Sequence, residues 1–89
     1  MLEIVYSSQL KKDLKKAKKQ GKNLALLQEI LLKLAKDKTL EPKYCDHELT
    51  GNWKGYRECH INPDWLLIYR VVGKELRLAR VGSHSELFG

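Results

Sequence analysis

The sequence predicts a small α+β fold in the order β-α-α-β-β-β, with two helices packed on one face of a small, mainly antiparallel sheet. Two stretches with helical apolar periodicity lie in the first half of the chain, and three strand-like stretches separated by short turns end it. Strands joined by such short connections pair antiparallel, so the second half is predicted to be a meander. The 89 residues, of which 43% are hydrophobic, are sufficient for one domain spanning residues 1–89.

The first half predicts one short strand followed by two helices. Apolar residues alternate over residues 2–6, which is typical of a strand. Either serine at positions 7–8 can cap a first helix, and Gly21 suits the left-handed position after its end. Asn23 can cap a second helix that ends near Asp37. The apolar faces comprise Leu10, Leu14 and Ala17 in the first helix, and Leu24, Leu26, Leu27, Ile30, Leu31 and Leu34 in the second.

The second half predicts a loop region and then the meander. Residues 39–54 contain Pro42, Gly51 and many polar side chains, so we expect a loop there rather than regular structure. Asn-Pro-Asp at 62–64 predicts one turn, and Gly73 suits the first central position of a two-residue hairpin. The strand between those turns is almost continuously apolar, which is typical of a central strand. The predicted strands are Gly55–Ile61, Trp65–Val72 and Glu75–Val81.

The charge of the chain indicates a polyanionic partner. Seventeen Lys and Arg residues against eleven Asp and Glu residues give a net charge of +6, and this excess attracts nucleic acid. No run of about 18 apolar residues could span a bilayer, and the first residues lack the basic and apolar regions of a signal peptide. We therefore expect a cytoplasmic protein with no membrane partner, in which Cys45 and Cys59 are free thiols.

The first predicted helix carries much of this positive charge. Asp13 is the only acidic residue among its lysines, so the lysine face repels itself unless an anion binds. A solvated face that only keeps the protein soluble is the alternative interpretation, and the sequence leaves it open. The candidate RNA-binding residues are Lys11, Lys12, Lys15, Lys16, Lys18 and Lys19.

All three histidines are predicted to lie near the ends of structural elements. His60 and Asp64 bracket a tight turn, and Arg80 and His84 flank the end of the last strand, while His47 lies in the loop before the meander. An antiparallel meander can bring these residues to neighbouring strand ends. Whether it does so depends on the strand register, which the sequence does not fix.

These residue types match the requirements for cutting RNA without a metal. The reaction needs a base for the 2′-hydroxyl proton, a cation for the phosphorane charge and an acid for the departing 5′-oxygen. Histidine exchanges protons near neutral pH, and arginine offers a planar fork for phosphate oxygens. Phe88 could stack on an unpaired base. Taken singly, each residue also has an ordinary interpretation: a surface histidine, a surface ion pair, a turn aspartate, or a phenyl ring that covers the edge of the core.

A zinc site built from Cys45, His47, Cys59 and His60 is the rival chemistry. Neighbouring residues in a strand point to opposite faces, which separates Cys59 from His60. The single residue between Cys45 and His47 is also shorter than the usual spacing of zinc ligands. We therefore expect no metal and no cofactor. The sequence also lacks a glycine-rich phosphate loop and a nucleophile elbow.

The stretch YCDHELTGNWKGYRECHINPDWLLIYR and the ending RLARVGSHSELFG carry three motifs, D-H-x-L-x-G-x-W-K-G-Y-R, H-x-x-P-D-W and G-x-H-x-x-L-F-G. In these motifs and in their spacing the chain resembles the YafQ family of bacterial toxins within the RelE-like superfamily. The similarity extends over essentially the whole chain, although the early helices match only in pattern. The resemblance implies a RelE-like fold and an mRNA endonuclease that works on translating ribosomes without a metal and is neutralised by a cognate antitoxin protein.

The resemblance also implies which residues act. The histidines and Asp64 would move protons, Arg80 would hold the scissile phosphate and Phe88 would help to position the RNA. Which histidine is the base and which is the acid stays open, because interacting groups titrate as a set. The lysines of the first helix would face ribosomal RNA. The implied catalytic positions are His47, His60, Asp64, Arg80, His84 and Phe88.

Two other functions stay open at this point. A non-catalytic basic regulator that binds nucleic acid together with its antitoxin would keep its RNA affinity after loss of all three histidines. A protein-interaction module that uses the sheet edge would show no salt-dependent RNA binding at all.

Overall fold

The computed structural model of the chain describes residues 1–89 and contains one five-stranded sheet and three α-helices. The bounds are β1 (Glu3–Tyr6), α1 (Ser8–Lys19), α2 (Leu24–Ala35), β2 (His47–Glu48), β3 (Arg57–Asn62), β4 (Trp65–Val72), β5 (Glu75–Gly82) and α3 (His84–Phe88). The strand order is β1-β5-β4-β3-β2; β1 lies parallel to β5 and the other pairs are antiparallel. The predicted α+β class is confirmed. None of the helices combines the length and the apolar character needed to cross a membrane.

The two long helices begin where their capping residues predict, and the first also ends where its glycine predicts. The Ser7 hydroxyl accepts a hydrogen bond from the Leu10 N–H at 3.0 Å, and Asn23 Oδ1 accepts one from the Ala25 N–H at 3.1 Å. Gly21 has φ +74°, the left-handed conformation that ends α1. Helix α2 ends at Ala35, slightly before the predicted position near residue 37.

The main core lies between the sheet and the two long helices, which pack on the same face as predicted. The helices contribute residues such as Leu10 and Ile30, and the sheet contributes residues such as Leu67, Tyr69 and Leu78, all of them almost fully buried. This packing supplies most of the apolar burial that stabilises a chain of this size.

Strand β4 is the central strand, as its apolar sequence predicts. Residues 65–69 are all buried, because α1 and α2 cover one face of the strand and a second apolar cluster covers the other. In that second cluster Leu66 and Ile68 pack against Leu87 of α3. The second face therefore has its own small core, which fixes α3 on the sheet.

Two predicted irregular segments contain regular structure. The prediction of a loop over residues 39–54 is wrong in part, since the segment includes β2, which adds an edge strand to β3, and two short 3₁₀ turns at Pro42–Tyr44 and Gly51–Trp53. The end of the chain is also ordered: α3 follows β5 directly. Its start is fixed by a capping box in which Ser83 and Glu86 each accept a hydrogen bond from a backbone N–H of the other.

Irregular pairing within the sheet determines which side chains share the second face. The registers of β3 on β4 and of β4 on β5 each shift once, next to Ile61 and Ala79 respectively. Such a bulge bends the strand and redirects the side chains beside it. On one cross-strand row Glu58 pairs with Ile68, and on the next His60 pairs with Leu66.

Candidate active site at one end of the sheet

Three imidazole rings and one phenyl ring form a row on the second face of the sheet. The ring centroids are 6.4 Å apart for His47 and His60, 6.0 Å for His60 and His84, and 5.9 Å for His84 and Phe88. The four residues come from β2, β3 and α3. The fold thus brings together side chains that are far apart in the sequence, and we call this group the imidazole row.

Asp64 joins the imidazole row from the turn between β3 and β4. Its Oδ1 accepts a hydrogen bond from the backbone N–H of His84 at 3.1 Å and lies 3.8 Å from His84 Nδ1. His84 is the first residue of α3, so its N–H has no partner inside the helix. Asp64 therefore fixes the start of α3 and stands beside the His84 ring at the same time.

A second carboxylate, Glu58, lies between two of the rings and is absent from the residues predicted from the sequence. Its Oε1 is 3.3 Å from His60 Nε2 and 3.6 Å from His47 Nε2, and the residue is only 3% exposed. A buried carboxylate needs charged or hydrogen-bonding partners, and the imidazoles are placed to supply them. Glu58 could have been identified from the sequence, because side chains alternate between the two faces of a strand and Glu58 therefore lies on the same face as His60.

The orientation of His47 is fixed by a backbone carbonyl. His47 Nδ1 lies 2.7 Å from the Cys45 carbonyl oxygen, and since a carbonyl can only accept, Nδ1 carries the proton. The other ring nitrogen, Nε2, then lies on the side of Glu58. Cys45 adopts φ +49°, a left-handed conformation that is uncommon outside glycine. This strained residue directs the carbonyl that orients His47.

The last helix carries one residue that packs against the sheet and, next to it, one exposed aromatic residue. Leu87 is buried against the second cluster, whereas its neighbour Phe88 is 44% exposed beside His84. The alternative in which the phenyl ring covers the core edge is therefore wrong, because Leu87 occupies that position. Phe88 presents its ring to solvent at the end of the imidazole row.

Arg80 is not part of the imidazole row. Its Nε and Nη2 donate to the two carboxylate oxygens of Asp13 at 3.1 and 3.0 Å, and the same carboxylate accepts the Val81 N–H at 3.2 Å. This N–H lies on the part of β5 that extends beyond its pairing with β1, which ends at Leu78. The hydrogen bonds that Arg80 donates to Asp13 raise the pKa of the Arg80 guanidinium. Asp13 thus covers an open strand edge and holds Arg80 in one orientation.

The outward face of α1 differs from the sequence-based prediction at two positions. Asp13 does not lie among the lysines: it is 8% exposed and points towards β5. The Lys16 ammonium forms an ion pair with Glu86 of α3 and is therefore engaged within the protein. The lysines left on the exposed face of the helix are Lys11, Lys12, Lys15, Lys18 and Lys19.

The ion pair between α1 and α3 makes the stability of the protein decrease as the pH falls in the acid range. Hydrogen bonds from Lys16 and from the Ser83 N–H lower the pKa of Glu86 from 4.5 to about 2. Because the folded state binds this proton more weakly than the unfolded state, the contribution is fully present above pH 4.5 and is lost as the pH falls to about 2. We expect the thermal midpoint of the native chain to fall more steeply across this interval than that of Glu86→Gln. Parallel slopes in thermal melts of the two proteins would contradict this assignment.

The two cysteines that were considered as zinc ligands lie in different environments. Cys59 is buried in the main core, where desolvation raises the pKa of its thiol to about 12, whereas Cys45 is exposed. His60 lies on the opposite face from Cys59, as the strand alternation predicts. No group of three or more His, Cys, Asp or Glu side chains is arranged to hold a metal ion.

Comparison with known proteins agrees with the fold and with the motifs that surround the site. Residues 2–89 match the family described as bacterial toxin of type II toxin-antitoxin system, YafQ. The mRNA interferase toxin YafQ of Escherichia coli K12 is 44% identical over 88 residues, which is 98% of this chain and 96% of that protein.

Solved structures of related toxins have the same fold. A copper-bound mutant toxin from Helicobacter pylori superposes with a TM-score of 0.95 at 45% identity, covering 99% of this chain and 100% of that one. The toxin in an E. coli DinJ-YafQ complex gives a TM-score of 0.92 at 42% identity, covering all of both chains. The resemblance inferred from the motifs is confirmed, and the chain belongs to the YafQ family of bacterial type II toxins.

Proposed function

We propose that this toxin is an mRNA endoribonuclease that cuts messages on translating ribosomes, without a metal, by acid-base catalysis that uses the 2′-hydroxyl. The observation that carries the proposal is the imidazole row with its two carboxylates, Glu58 and Asp64, on a protein with a net charge of +6. The E. coli relative is named an mRNA interferase toxin, which supports both the enzymatic activity and the substrate.

The site offers two imidazole-carboxylate pairs, one on each side of a position for a phosphodiester. His60 with Glu58 forms the first pair and His84 with Asp64 forms the second, and their rings are 6.0 Å apart. One pair takes the proton from the 2′-hydroxyl, which then attacks the phosphorus. The other pair gives a proton to the 5′-oxygen as its bond to phosphorus breaks. Each carboxylate orients its ring, and His47 shares Glu58 with His60.

The remaining site residues bind the RNA rather than exchange protons. Asp13 leaves Arg80 Nη1 available, so in the proposed complex the guanidinium contacts a phosphate oxygen with its remaining N–H groups. The exposed ring of Phe88 stacks on an unpaired base. The outward lysines of α1 contact ribosomal RNA, whose counterions they release on binding.

The proposed setting is the cytoplasm, where translating ribosomes and a cognate antitoxin protein meet the toxin. The solved DinJ-YafQ complex supports a protein antitoxin as the partner. An acidic segment that folds on the basic surface of the toxin is suited to this role. Residues 1–89 act as one domain in this proposal, because the imidazole row draws on both the middle and the end of the chain.

The test is to strip the purified toxin of any bound metal with EDTA, to remove the chelator, and then to add the toxin to a translation reaction in which the breaks in the message are mapped. We expect the native chain to cut within ribosome-bound mRNA and His84→Ala to cut at least about 100-fold more slowly, because proton transfer then lacks one of its partners. Gln28→Ala, at an exposed position on α2, is the matched control and should cut at the native rate.

Three outcomes of this experiment would contradict the proposal. Intact message with the native chain, together with RNA affinity that survives loss of all three histidines, indicates the non-catalytic regulator. Cutting of free RNA without ribosomes removes the ribosome dependence. Cutting that is lost when the toxin alone is stripped of metal, and that returns when a transition metal is added back to the toxin, removes the metal-free mechanism.

A further inference from the structure

We propose that a groove next to His60 binds the base of the nucleotide that adjoins the scissile phosphate. This inference rests on the proposed ribonuclease function and adds a substrate subsite to it. The groove has a volume of about 530 Å³ and lies between α2, the turn at Pro42–Tyr44 and the turn between β3 and β4. Its size falls within the roughly 300–1,000 Å³ of typical ligand sites.

The lining of the groove has the chemistry that a nucleobase requires. Leu26 and Pro63, which are not buried, supply apolar surface for the flat faces of a base, whereas the neighbouring Ile61 is almost fully buried. Asn62, the last residue of β3, is exposed, and its side-chain amide offers both a donor and an acceptor to a base edge. No Asp or Glu lines the groove, whereas Lys43 does, so the charge favours the phosphate backbone that accompanies the base.

The groove is continuous with the imidazole row through two residues. His60 is at once a wall of the groove and the central ring of the row. Cys45 also lines the groove, and its carbonyl orients His47. A nucleotide whose base enters the groove therefore places its phosphate beside the rings. Phe88 lies beyond His84, so the two base-binding surfaces are on opposite sides of His60.

Two other cavities lack this connection. One, of about 680 Å³, is lined by residues such as Glu48, Arg57 and Arg70 and contains none of the three histidines. The cavity beside Asp13 and Arg80 is about 20 Å³, which is room for a water molecule and not for a base. The groove next to His60 is therefore the one in which an RNA base and the proposed chemistry meet.

The first experiment uses Cys45 as a reporter of groove occupancy. N-ethylmaleimide should label this exposed thiol and spare Cys59, which is buried and has a raised thiol pKa. A single-stranded RNA with 2′-O-methyl groups cannot be cut, and at about ten times its Kd it should slow labelling about tenfold by mass action. Cys45→Ser provides the background. Unchanged labelling under conditions where fluorescence anisotropy shows bound RNA would overturn the proposal.

The second experiment tests recognition of one base. Asn62→Ala should reduce discrimination by about tenfold at one nucleotide position next to the cut, as expected for loss of one base-edge contact, and leave the other positions unchanged. Asn52→Ala, an exposed asparagine outside the groove, is the matched control. An unchanged profile of cut sites with Asn62→Ala would overturn the subsite. Native toxin that protects Cys45 by binding RNA in the groove but cuts nothing would instead overturn the proposed function and leave the groove as an RNA-binding site.

Discussion

Replacing Glu58 with alanine is expected to slow RNA cleavage by about 10³-fold, within the range attributed to acid-base groups. Glu58 stands within 3.6 Å of two imidazole nitrogens, so its loss removes the proton partner of one ring and the orienting charge of both. Glu58→Gln keeps the size of the side chain and removes the charge, and it should lose nearly as much activity. The measurement is the single-turnover rate of cutting in the translation reaction.

Replacing Glu58 with glutamine should leave the fold intact. Glu58 is 3% exposed and faces imidazoles rather than a permanently charged lysine or arginine, so its burial carries a desolvation cost. We therefore expect Glu58→Gln to have a thermal midpoint equal to or above that of the native chain, because a site built for catalysis is often not optimal for stability. Retained cleavage, or loss of cleavage only in proportion to unfolding, would contradict the role assigned to Glu58.

Replacing Asp13 with alanine is expected to lower the free energy of unfolding by about 3 kcal/mol or more. The change leaves the Arg80 guanidinium without its carboxylate and the Val81 N–H without an acceptor, and breaking a largely buried ion pair typically costs about 3–5 kcal/mol. Urea denaturation measures the difference. Lys12→Ala, at an exposed position one residue away, is the control and should change stability by less than about 0.5 kcal/mol.

A double-mutant cycle separates the two tasks of Asp13. If Asp13 acts on cleavage by holding Arg80, Asp13→Asn should slow cutting in the native chain and have little further effect in an Arg80→Ala background. The Val81 N–H keeps an acceptor in Asp13→Asn, so this variant should be more stable than Asp13→Ala. Additive effects on cleavage, or a loss of stability below about 1 kcal/mol in Asp13→Ala, would contradict the arrangement described above.

Local signals in the sequence were sufficient for most of the fold. Ser7 and Asn23 are capping residues and Gly21 is a helix terminator, and these act through backbone hydrogen bonds with near neighbours. The meander follows from short turns and from one strand that is apolar on both faces. Helix α3 could also have been predicted from the sequence, because the Ser-x-x-Glu pattern at Ser83 and Glu86 is a capping box. Its apolar segment is so short, however, that it resembles the frayed end of a chain.

The candidate site depends on distant contacts that a sequence pattern does not contain. His47, His60 and His84 were identified by residue type, but their proximity depends on the strand register, which a shift near Ile61 alters. Asp13 was misplaced on the lysine face because helical periodicity cannot tell an exposed acid from one that meets an arginine on a strand. The composition of α1 likewise gave no sign that Lys16 is bound by Glu86.

The parallel pairing of β1 with β5 has a consequence for the order in which the protein matures. It joins segments whose residues lie 72 positions apart, as in the hydrogen bond from Ser7 to the Ala79 carbonyl. Closing so long a segment is entropically costly, and contacts of this kind form slowly. Helix α1 meets Arg80 and Glu86 across a similarly long segment of chain. We therefore expect the orientation of Arg80 by Asp13 to be established late in folding, after the local helices and the hairpin have formed.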